Sequence, residues 1–203
     1  MEVKICGIKT IDEAVSISKE KPDYIGIVLF FPKSKRNISI NEAKELFPFI
    51  DPSIKKVAVT VSPDLDQIRQ IEEAGFDILQ IHGEFDTCLF SKIKLPVIKA
   101  FNEGNLESLD LYIDIESVYA FLFDAACPGS GKTFDYNSLP DLSSLSKKIM
   151  LSGGLNPSNV SLAIKSVHPD IVDVSSGVEN ADGNGKDLKK VHDFIANARA
   201  TIV

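Results

Sequence analysis

The chain has 203 residues, of which 44% are hydrophobic and 25% are charged, and its formal net charge at pH 7 is -7. This length provides one sizeable core, and the negative charge disfavours nonspecific binding to nucleic acid. Because no apolar run reaches the roughly 18 residues of a membrane span and the first residues lack the layout of a signal peptide, we expect a soluble cytoplasmic protein that binds neither nucleic acid nor membrane.

The cysteines and histidines are too widely spaced to form a recognisable framework. The cysteines are odd in number and include no C-x-x-C motif, and the histidines show no metal-ligand spacing. These residues are Cys6, Cys88, Cys127, His82, His168 and His192. The sequence therefore predicts no disulfide framework, no metal site and no cofactor.

Short β-rich runs alternate with segments of helical period along the whole chain. The predicted strands cover residues 2–7, 24–30, 55–61, 77–82, 96–101, 118–124, 148–152 and 171–175. Eight strand-helix units of about 25 residues each, with no linker or low-complexity tract between them, predict a single-domain (β/α)8 barrel over residues 1–203. A doubly wound open sheet is the structural alternative.

The segments between the strands carry their own start signals. Ser39-x-x-Glu42 forms a capping box sequence, and Ser62-Pro63 and Asn156-Pro157 each place a capping residue before a first-turn proline. Apolar residues then recur at helical spacing, as at Ile40, Ala43, Phe47 and Ile50 and at Leu188, Val191, Ile195 and Ala198. The weakest unit follows the fifth strand, because residues 102–114 offer only a short helical stripe.

Residues with reactive side chains fall at the carboxyl ends of the predicted strands, which meet at one mouth in such a barrel. Cys6 ends the first strand, and Gly7 after it permits close approach of backbone and ligand. His82 ends the fourth strand and Asp124 the sixth. Cys6 is either a working thiol or a buried structural one, and His82 is either a polar lining residue or a structural histidine.

Two glycine-containing segments follow the last two strands, where barrels of this class usually bind phosphate. Gly153-Gly154 alone is compatible with a tight turn, and Ser175-Ser176-Gly177 alone with a helix cap. Together, on adjacent strands, they predict a phosphate site. Such local capture is needed because the net charge of the chain repels anions at long range.

Residues 126–133 match a relaxed Walker A pattern in which alanine replaces the first glycine. A true P-loop runs from a strand directly into a helix that holds the phosphates. The residues that follow contain turn formers and Pro140 and show no immediate amphipathic stripe. We therefore interpret residues 125–136 as a loop after the sixth strand.

The two-residue period of the first strand places Lys4 on the same inward face as Cys6. The same alternation places Lys99 and Asp173 inside the barrel. Since the first and eighth strands are neighbours, we predict a buried ion pair between Lys4 and Asp173 beneath Cys6. This pair either supports the barrel floor or tunes the pKa of the thiol.

In their order along the chain, these segments resemble the phosphoribosylanthranilate isomerase family, and the likeness spans nearly the whole sequence. The motifs are Lys4-Ile5-Cys6-Gly7-Ile8, Pro32-Lys33-Ser34-x-Arg36, Gln80-Ile81-His82-Gly83, Gly129-Ser130-Gly131-Lys132-Thr133-Phe134-Asp135, Ser152-Gly153-Gly154-Leu155-Asn156-Pro157 and Val172-Asp173-Val174-Ser175-Ser176-Gly177-Val178-Glu179. One departure is Lys35, which stands where a proline is common in the family.

The resemblance implies an Amadori rearrangement of a phosphorylated aminosugar in tryptophan biosynthesis, by a monomer or homodimer. It implies Cys6 as general base and Asp124 as general acid. It also implies Arg36, whose planar fork matches a carboxylate, as the anthranilate contact. The implied phosphate cradle consists of Gly153, Gly154, Ser175, Ser176 and Gly177.

Three other functions are compatible with parts of the sequence. One is an enzyme of the same fold that acts on another sugar phosphate, against which the Cys6 and Arg36 segments argue. The second is a P-loop nucleotide hydrolase, which would require magnesium and a helix at residue 132. The third is a noncatalytic barrel that binds phosphate without turnover.

Overall fold

The computed structural model describes residues 1–102, 104–124, 139, 142 and 145–202. All eight predicted strands are present, and each observed end lies within one residue of its predicted end. They are β1 (Glu2–Cys6), β2 (Tyr24–Leu29), β3 (Lys55–Val61), β4 (Ile78–His82), β5 (Val97–Phe101), β6 (Val118–Phe123), β7 (Lys148–Leu151) and β8 (Ile171–Val174).

The strands form one parallel sheet that closes on itself. Each strand pairs with the next, and β1 pairs with both β2 and β8. Cys6 lies opposite Gly26 of β2, and Lys4 lies opposite Asp173 of β8. The predicted (β/α)8 barrel is therefore confirmed, and the open sheet is wrong. A two-residue strand, Asn37–Ile38, adds to β2 outside the barrel and was not predicted.

Helices cover the outside of the barrel. The α-helices are α1 (Ile11–Lys19), α2 (Ile40–Leu46), α3 (Leu65–Ala74), α4 (Val160–Val167) and α5 (Leu188–Ala200). Shorter 3-10 helices occupy Phe47–Phe49, Thr87–Lys92, Leu106–Tyr112 and Ser176–Val178. The weak unit after β5 thus contains a 3-10 helix. Within the described residues, no helix is both long and apolar enough to cross a membrane.

The capping prediction at Ser39 is confirmed, but the other two are wrong. The Ser39 hydroxyl accepts a hydrogen bond from the Glu42 N–H at 3.2 Å. In contrast, α3 begins after Asp64, which forms a reciprocal capping box with Gln67. This arrangement satisfies two backbone donors at the helix start, whereas Ser62 adopts a left-handed conformation with a φ of 44°.

The start of α4 is displaced in a similar way. Its capping position is Asn159, whereas the Asn156 side chain accepts the N–H of Ser158 in the preceding turn. The Asn159 side-chain amide donates to the Gly154 carbonyl at 3.0 Å, and its oxygen accepts the Asn156 N–H at 2.8 Å. Asn156-Pro157 therefore shapes the turn after the double glycine, and the helix begins later.

Two apolar clusters lie on opposite faces of the sheet. The larger one, which includes Val3 and Ile5, packs between the barrel and its helices. The smaller one, which includes Cys6, fills the barrel interior. Gly26 makes space there, because a Cβ at this position would lie 2.8 Å from the Cys6 sulfur and 3.0 Å from the Lys4 Nζ.

The predicted ion pair lies within this interior. The Lys4 Nζ is 3.0 Å from the Asp173 Oδ1, and the side chain of Lys4 is fully buried. Burial acts to lower the pKa of Lys4, but its interactions with Asp173 and Cys6 together outweigh this effect and raise the pKa. Lys4 is therefore charged at neutral pH, and the ion pair beneath Cys6 is confirmed.

Replacing Lys4→Met should lower the free energy of unfolding by about 3–5 kcal/mol, because it leaves Asp173 buried without its counter-charge. Urea unfolding measures this change. The matched control is the double variant Lys4→Met with Asp173→Asn, which should recover part of the loss because the unpaired charge is gone. Equal stability of Lys4→Met and the unmodified protein would contradict the assigned role of the pair.

Candidate active site

A cavity of about 750 Å³ lies at the carboxyl ends of the strands. Its wall brings together residues that are far apart in sequence. The predicted site residues on this wall are Cys6, Arg36, His82, Asp124, Gly153, Gly154, Ser175 and Ser176. Such a convergence at one mouth is where (β/α)8 barrels carry their active sites. The relaxed Walker A match at residues 126–133 lies outside the described residues.

Cys6 lies at the end of β1 and is 7% exposed. The sequence predicts that positive charge lies near this thiol, and the structure places the buried lysines Lys4 and Lys186 there. Burial nevertheless raises the pKa of Cys6, and the charges of the two lysines offset only part of this effect. The thiol is therefore protonated at neutral pH in the free protein.

Asp124 follows β6 and is also 7% exposed. Its backbone N–H donates to the Phe101 carbonyl at 2.9 Å, which continues the pairing of β5 and β6 by one residue. The side chain lines the same cavity as Cys6. The structure thus places a buried carboxyl and a buried thiol where one small ligand can contact both.

The glycine segments after β7 and β8 expose their backbone to the cavity. Gly153 and Gly154 have φ values of 85° and 65°, which glycine adopts readily. Within the described part of the chain, the N–H groups of Gly153, Gly154, Ser176 and Gly177 donate to no protein acceptor. Unpaired N–H groups of this kind are suited to binding an anion.

Gly177 differs from the other members of the predicted cradle because it does not line the cavity. A Cβ at this position would overlap the carbonyl oxygen of Leu155. The backbone of the segment after β8 therefore packs directly against the segment after β7. The absence of a side chain at Gly177 permits this close packing of the two candidate phosphate-binding segments.

Arg36 lies in the loop after β2, and its side chain is 16% exposed. Its Nε donates to the Glu179 Oε1 at 2.6 Å. Glu179 also accepts a hydrogen bond from the Lys35 Nζ at 2.9 Å, and the Lys186 Nζ lies 3.5 Å from it. We call this cluster the clasp, because it joins the loop after β2 to the loop after β8; it consists of Lys35, Arg36, Glu179 and Lys186.

Sequence reasoning missed the part that Glu179 and Lys186 play in the site. Burial alone would raise the pKa of Glu179, but hydrogen bonds from Arg36 and Lys35 and the charge of Lys186 lower it to about 2. Lys186 is nearly inaccessible and donates to the Ser175 carbonyl at 3.0 Å. The search for reactive side chains at the carboxyl ends of strands did not find these two residues, because neither directly follows a strand. The last of the family-like motifs ends at Glu179 and so includes only one of them.

His82 lines the cavity beside two buried lysines. Burial lowers its pKa to about 3, and the charges of Lys4 and Lys99 act in the same direction. Its Nε2 lies 2.8 Å from the Gln80 Nε2. Lys99 donates to the carbonyls of Gly83 and Ala100, both at 2.9 Å. His82 is therefore a neutral wall residue at neutral pH.

Among the described residues, no three His, Cys, Asp or Glu side chains cluster closely enough to hold a metal ion. The polar groups of the cavity include the Cys6 thiol, the Asp124 carboxyl, the Arg36 guanidinium and the backbone N–H groups of the glycine segments. These groups suit proton transfer on an anionic organic ligand.

Comparison with known proteins gives one consistent result. Residues 3–197 match the family model described as N-(5'phosphoribosyl)anthranilate (PRA) isomerase. The N-(5'-phosphoribosyl)anthranilate isomerase of Streptococcus gordonii is 39% identical over 200 residues, which are 98% of this chain and 97% of the relative.

Solved structures agree with the sequence comparison. A structure of monomers of the dimeric enzyme from Thermotoga maritima has a TM-score of 0.85 and 35% identity, over 98% of each chain. A phosphoribosyl anthranilate isomerase in complex with reduced 1-(o-carboxyphenylamino)-1-deoxyribulose 5-phosphate has a TM-score of 0.80 and 33% identity, also over 98% of each chain. The chain therefore belongs to the N-(5'-phosphoribosyl)anthranilate isomerase family.

Proposed function

We propose that this chain catalyses the Amadori rearrangement of N-(5'-phosphoribosyl)anthranilate to 1-(2-carboxyphenylamino)-1-deoxyribulose 5-phosphate in tryptophan biosynthesis. Residues 1–203 act as one catalytic barrel, without a cofactor, in the cytoplasm, as a monomer or homodimer. The observation that carries this proposal is that Cys6 and Asp124 line one cavity whose wall also carries Arg36 and the phosphate-binding candidates.

The substrate has an anionic group at each end, and the cavity offers a complementary group for each. The phosphate accepts hydrogen bonds from the free N–H groups of Gly153, Gly154 and Ser176, with Ser175 beside them. The aryl carboxylate binds Arg36, whose guanidinium is suited to a planar anion. Two fixed anchors orient the sugar between them, which lowers the entropic cost of reaching the transition state.

The first chemical step opens the furanose ring. Asp124 donates a proton to the ring oxygen as the C1–O bond breaks, while the nitrogen lone pair forms a C=N bond and gives an iminium ion. The position of Asp124 suits this role, because the residue is 7% exposed and lines the cavity in which the sugar would lie. The carboxylate that results lies in the same cavity as the positive iminium ion and stabilises it.

The second step moves a proton from C2 of the sugar. The Cys6 thiolate accepts that proton, and the C–H electron pair forms a C1–C2 double bond, which neutralises the iminium ion and leaves an enolamine. The enolamine then tautomerises to the ketone. Because the pKa of Cys6 is raised in the free protein, only the minor fraction of molecules whose thiol has already released its proton to solvent carries the reactive thiolate. The charges of Lys4 and Lys186 stabilise that thiolate, and so does the iminium charge that forms beside it.

Replacing Cys6→Ala or Asp124→Asn should each lower kcat by about 10²- to 10⁴-fold, the contribution of a general acid or base. The loss of substrate fluorescence measures turnover. Cys88→Ala is the matched control, because Cys88 is an exposed thiol and should leave turnover unchanged. Unchanged turnover in both site variants would refute the assigned roles, and binding without turnover by the unmodified protein would indicate a noncatalytic barrel.

The low pKa of His82 generates a separate prediction about stability and pH. The unfolded chain protonates this histidine near pH 6.5, whereas the folded chain does so only near about 3. Since the unfolded state binds more protons between these values, the contribution of His82 to the free energy of unfolding falls as pH decreases from about 6.5 to about 3.

His82→Asn should therefore lose less stability than the unmodified protein when the pH is lowered from 7 to 4.5. Urea unfolding at both pH values measures this difference. The same variant should keep both limbs of the pH profile of kcat, because the proposed acid and base are Asp124 and Cys6, and a histidine whose pKa is about 3 does not titrate near neutral pH. An identical loss of stability in the two proteins would show that His82 titrates normally in the folded state.

A further inference from the structure

Arg36 has a fixed partner before any substrate binds. Its Nε donates to the Glu179 Oε1 at 2.6 Å, and its own backbone N–H donates to the Ser34 hydroxyl at 3.2 Å. Gly7 lies against the other side of the side chain, and a Cβ there would overlap the Arg36 Cδ. The arginine side chain is thus held between the end of β1 and the segment after β8.

The contact with Glu179 leaves the terminal nitrogens of the guanidinium available. An arginine has five N–H donors, of which one is on Nε and four are on the two terminal nitrogens. Within the described residues, those terminal nitrogens form no hydrogen bond or ion pair with another protein group. Arg36 lines the cavity, so this end of the fork can bind a carboxylate with two parallel hydrogen bonds.

We propose that Glu179 is a positioning residue, which holds Arg36 through Nε so that its two terminal nitrogens bind the aryl carboxylate of the substrate. This inference rests on the function proposed above. It assigns to Glu179 no contact with the reacting atoms.

The position of Glu179 in the chain also links the carboxylate site to the phosphate site. It directly follows the 3-10 helix Ser176–Val178, whose first residue belongs to the proposed phosphate cradle. Val178 is fully buried, and the Lys186 Nζ binds both the Ser175 carbonyl and Glu179. One short, anchored segment therefore sets the position of the phosphate site and, through Glu179, of the carboxylate site. This arrangement selects ligands that carry both anions at one spacing.

A simple electrostatic role for Glu179 predicts the opposite effect. A carboxylate beside an anion-binding arginine repels the incoming anion, so its removal would strengthen binding if charge alone mattered. In the clasp, Lys35 and Lys186 offset that negative charge. A positioning role therefore predicts a higher KM when Glu179 is removed, and a purely electrostatic role predicts a lower one.

The test measures KM and kcat for phosphoribosylanthranilate in a set of variants. Glu179→Ala should raise KM about tenfold, as for one lost hydrogen bond to a charged group, with kcat nearly unchanged because this contact is equally strong in the transition state. Glu179→Gln retains an acceptor oxygen and should remain within about threefold of the original KM. Competitive inhibition by inorganic phosphate should be unchanged in both.

A double-variant cycle shows whether Glu179 acts through Arg36. In an Arg36→Met background, Glu179→Ala should cause no further rise in KM. The control is Glu2→Ala, because Glu2 also accepts hydrogen bonds from several partners but lies at the opposite end of the barrel. It should leave KM unchanged.

Three results would overturn the inference. They are an unchanged or lower KM for Glu179→Ala, the same rise in KM with and without Arg36, and a weakened inhibition by phosphate. If Glu179→Ala does not fold, Glu179→Asp serves instead, since it draws the carboxylate back and should also raise KM; an unchanged KM would again overturn the inference. Absence of turnover in the unmodified protein would refute the proposed function itself.

Discussion

The buried ion pair between Lys4 and Asp173 is the interaction on which the rest of the structure depends. It joins β1 to β8, the two strands whose pairing closes the barrel, at a separation of 3.0 Å. An ion pair removed from water is tolerated only when its partners satisfy each other, so it fixes the register of these strands. Cys6 lies two residues beyond Lys4, and closure of the barrel therefore also places the thiol at the mouth.

The distribution of charge explains how a chain with a net charge of -7 can bind a doubly anionic ligand. Long-range attraction is absent, so affinity must come from groups at the site. The clasp supplies three cations around one carboxylate, and the segments after β7 and β8 supply free N–H groups. Such groups interact with a ligand only when it is already in the cavity. They therefore contribute to selectivity among ligands and not to long-range attraction of anions.

The sequence predicts the strands well, because the two-residue period of a strand is visible within a short stretch of residues. It also predicts which residues lie at the mouth, because all strands of a parallel barrel end on the same side. The predicted capping residues of α3 and α4 are wrong. Each helix begins after a later residue, Asp64 or Asn159, and not at the residue that directly precedes the proline. The Arg36–Glu179 contact could not be predicted, because it joins residues 143 positions apart in two loops. The pKa of Cys6 could not be predicted either, because burial raises it and the lysine charges lower it, and the extent of burial depends on the completed fold.

Catalysis as proposed requires Cys6 and Asp124 to contact one ligand from the same cavity. A crystal structure of this protein with the reduced product analogue bound would show whether they do. We expect the Cys6 sulfur about 3–3.5 Å from the C2 substituents of the ligand, and an Asp124 oxygen within hydrogen-bond reach of the hydroxyl that derives from the ring oxygen. A ligand bound with either side chain directed away from the sugar would refute the proposed roles of both residues.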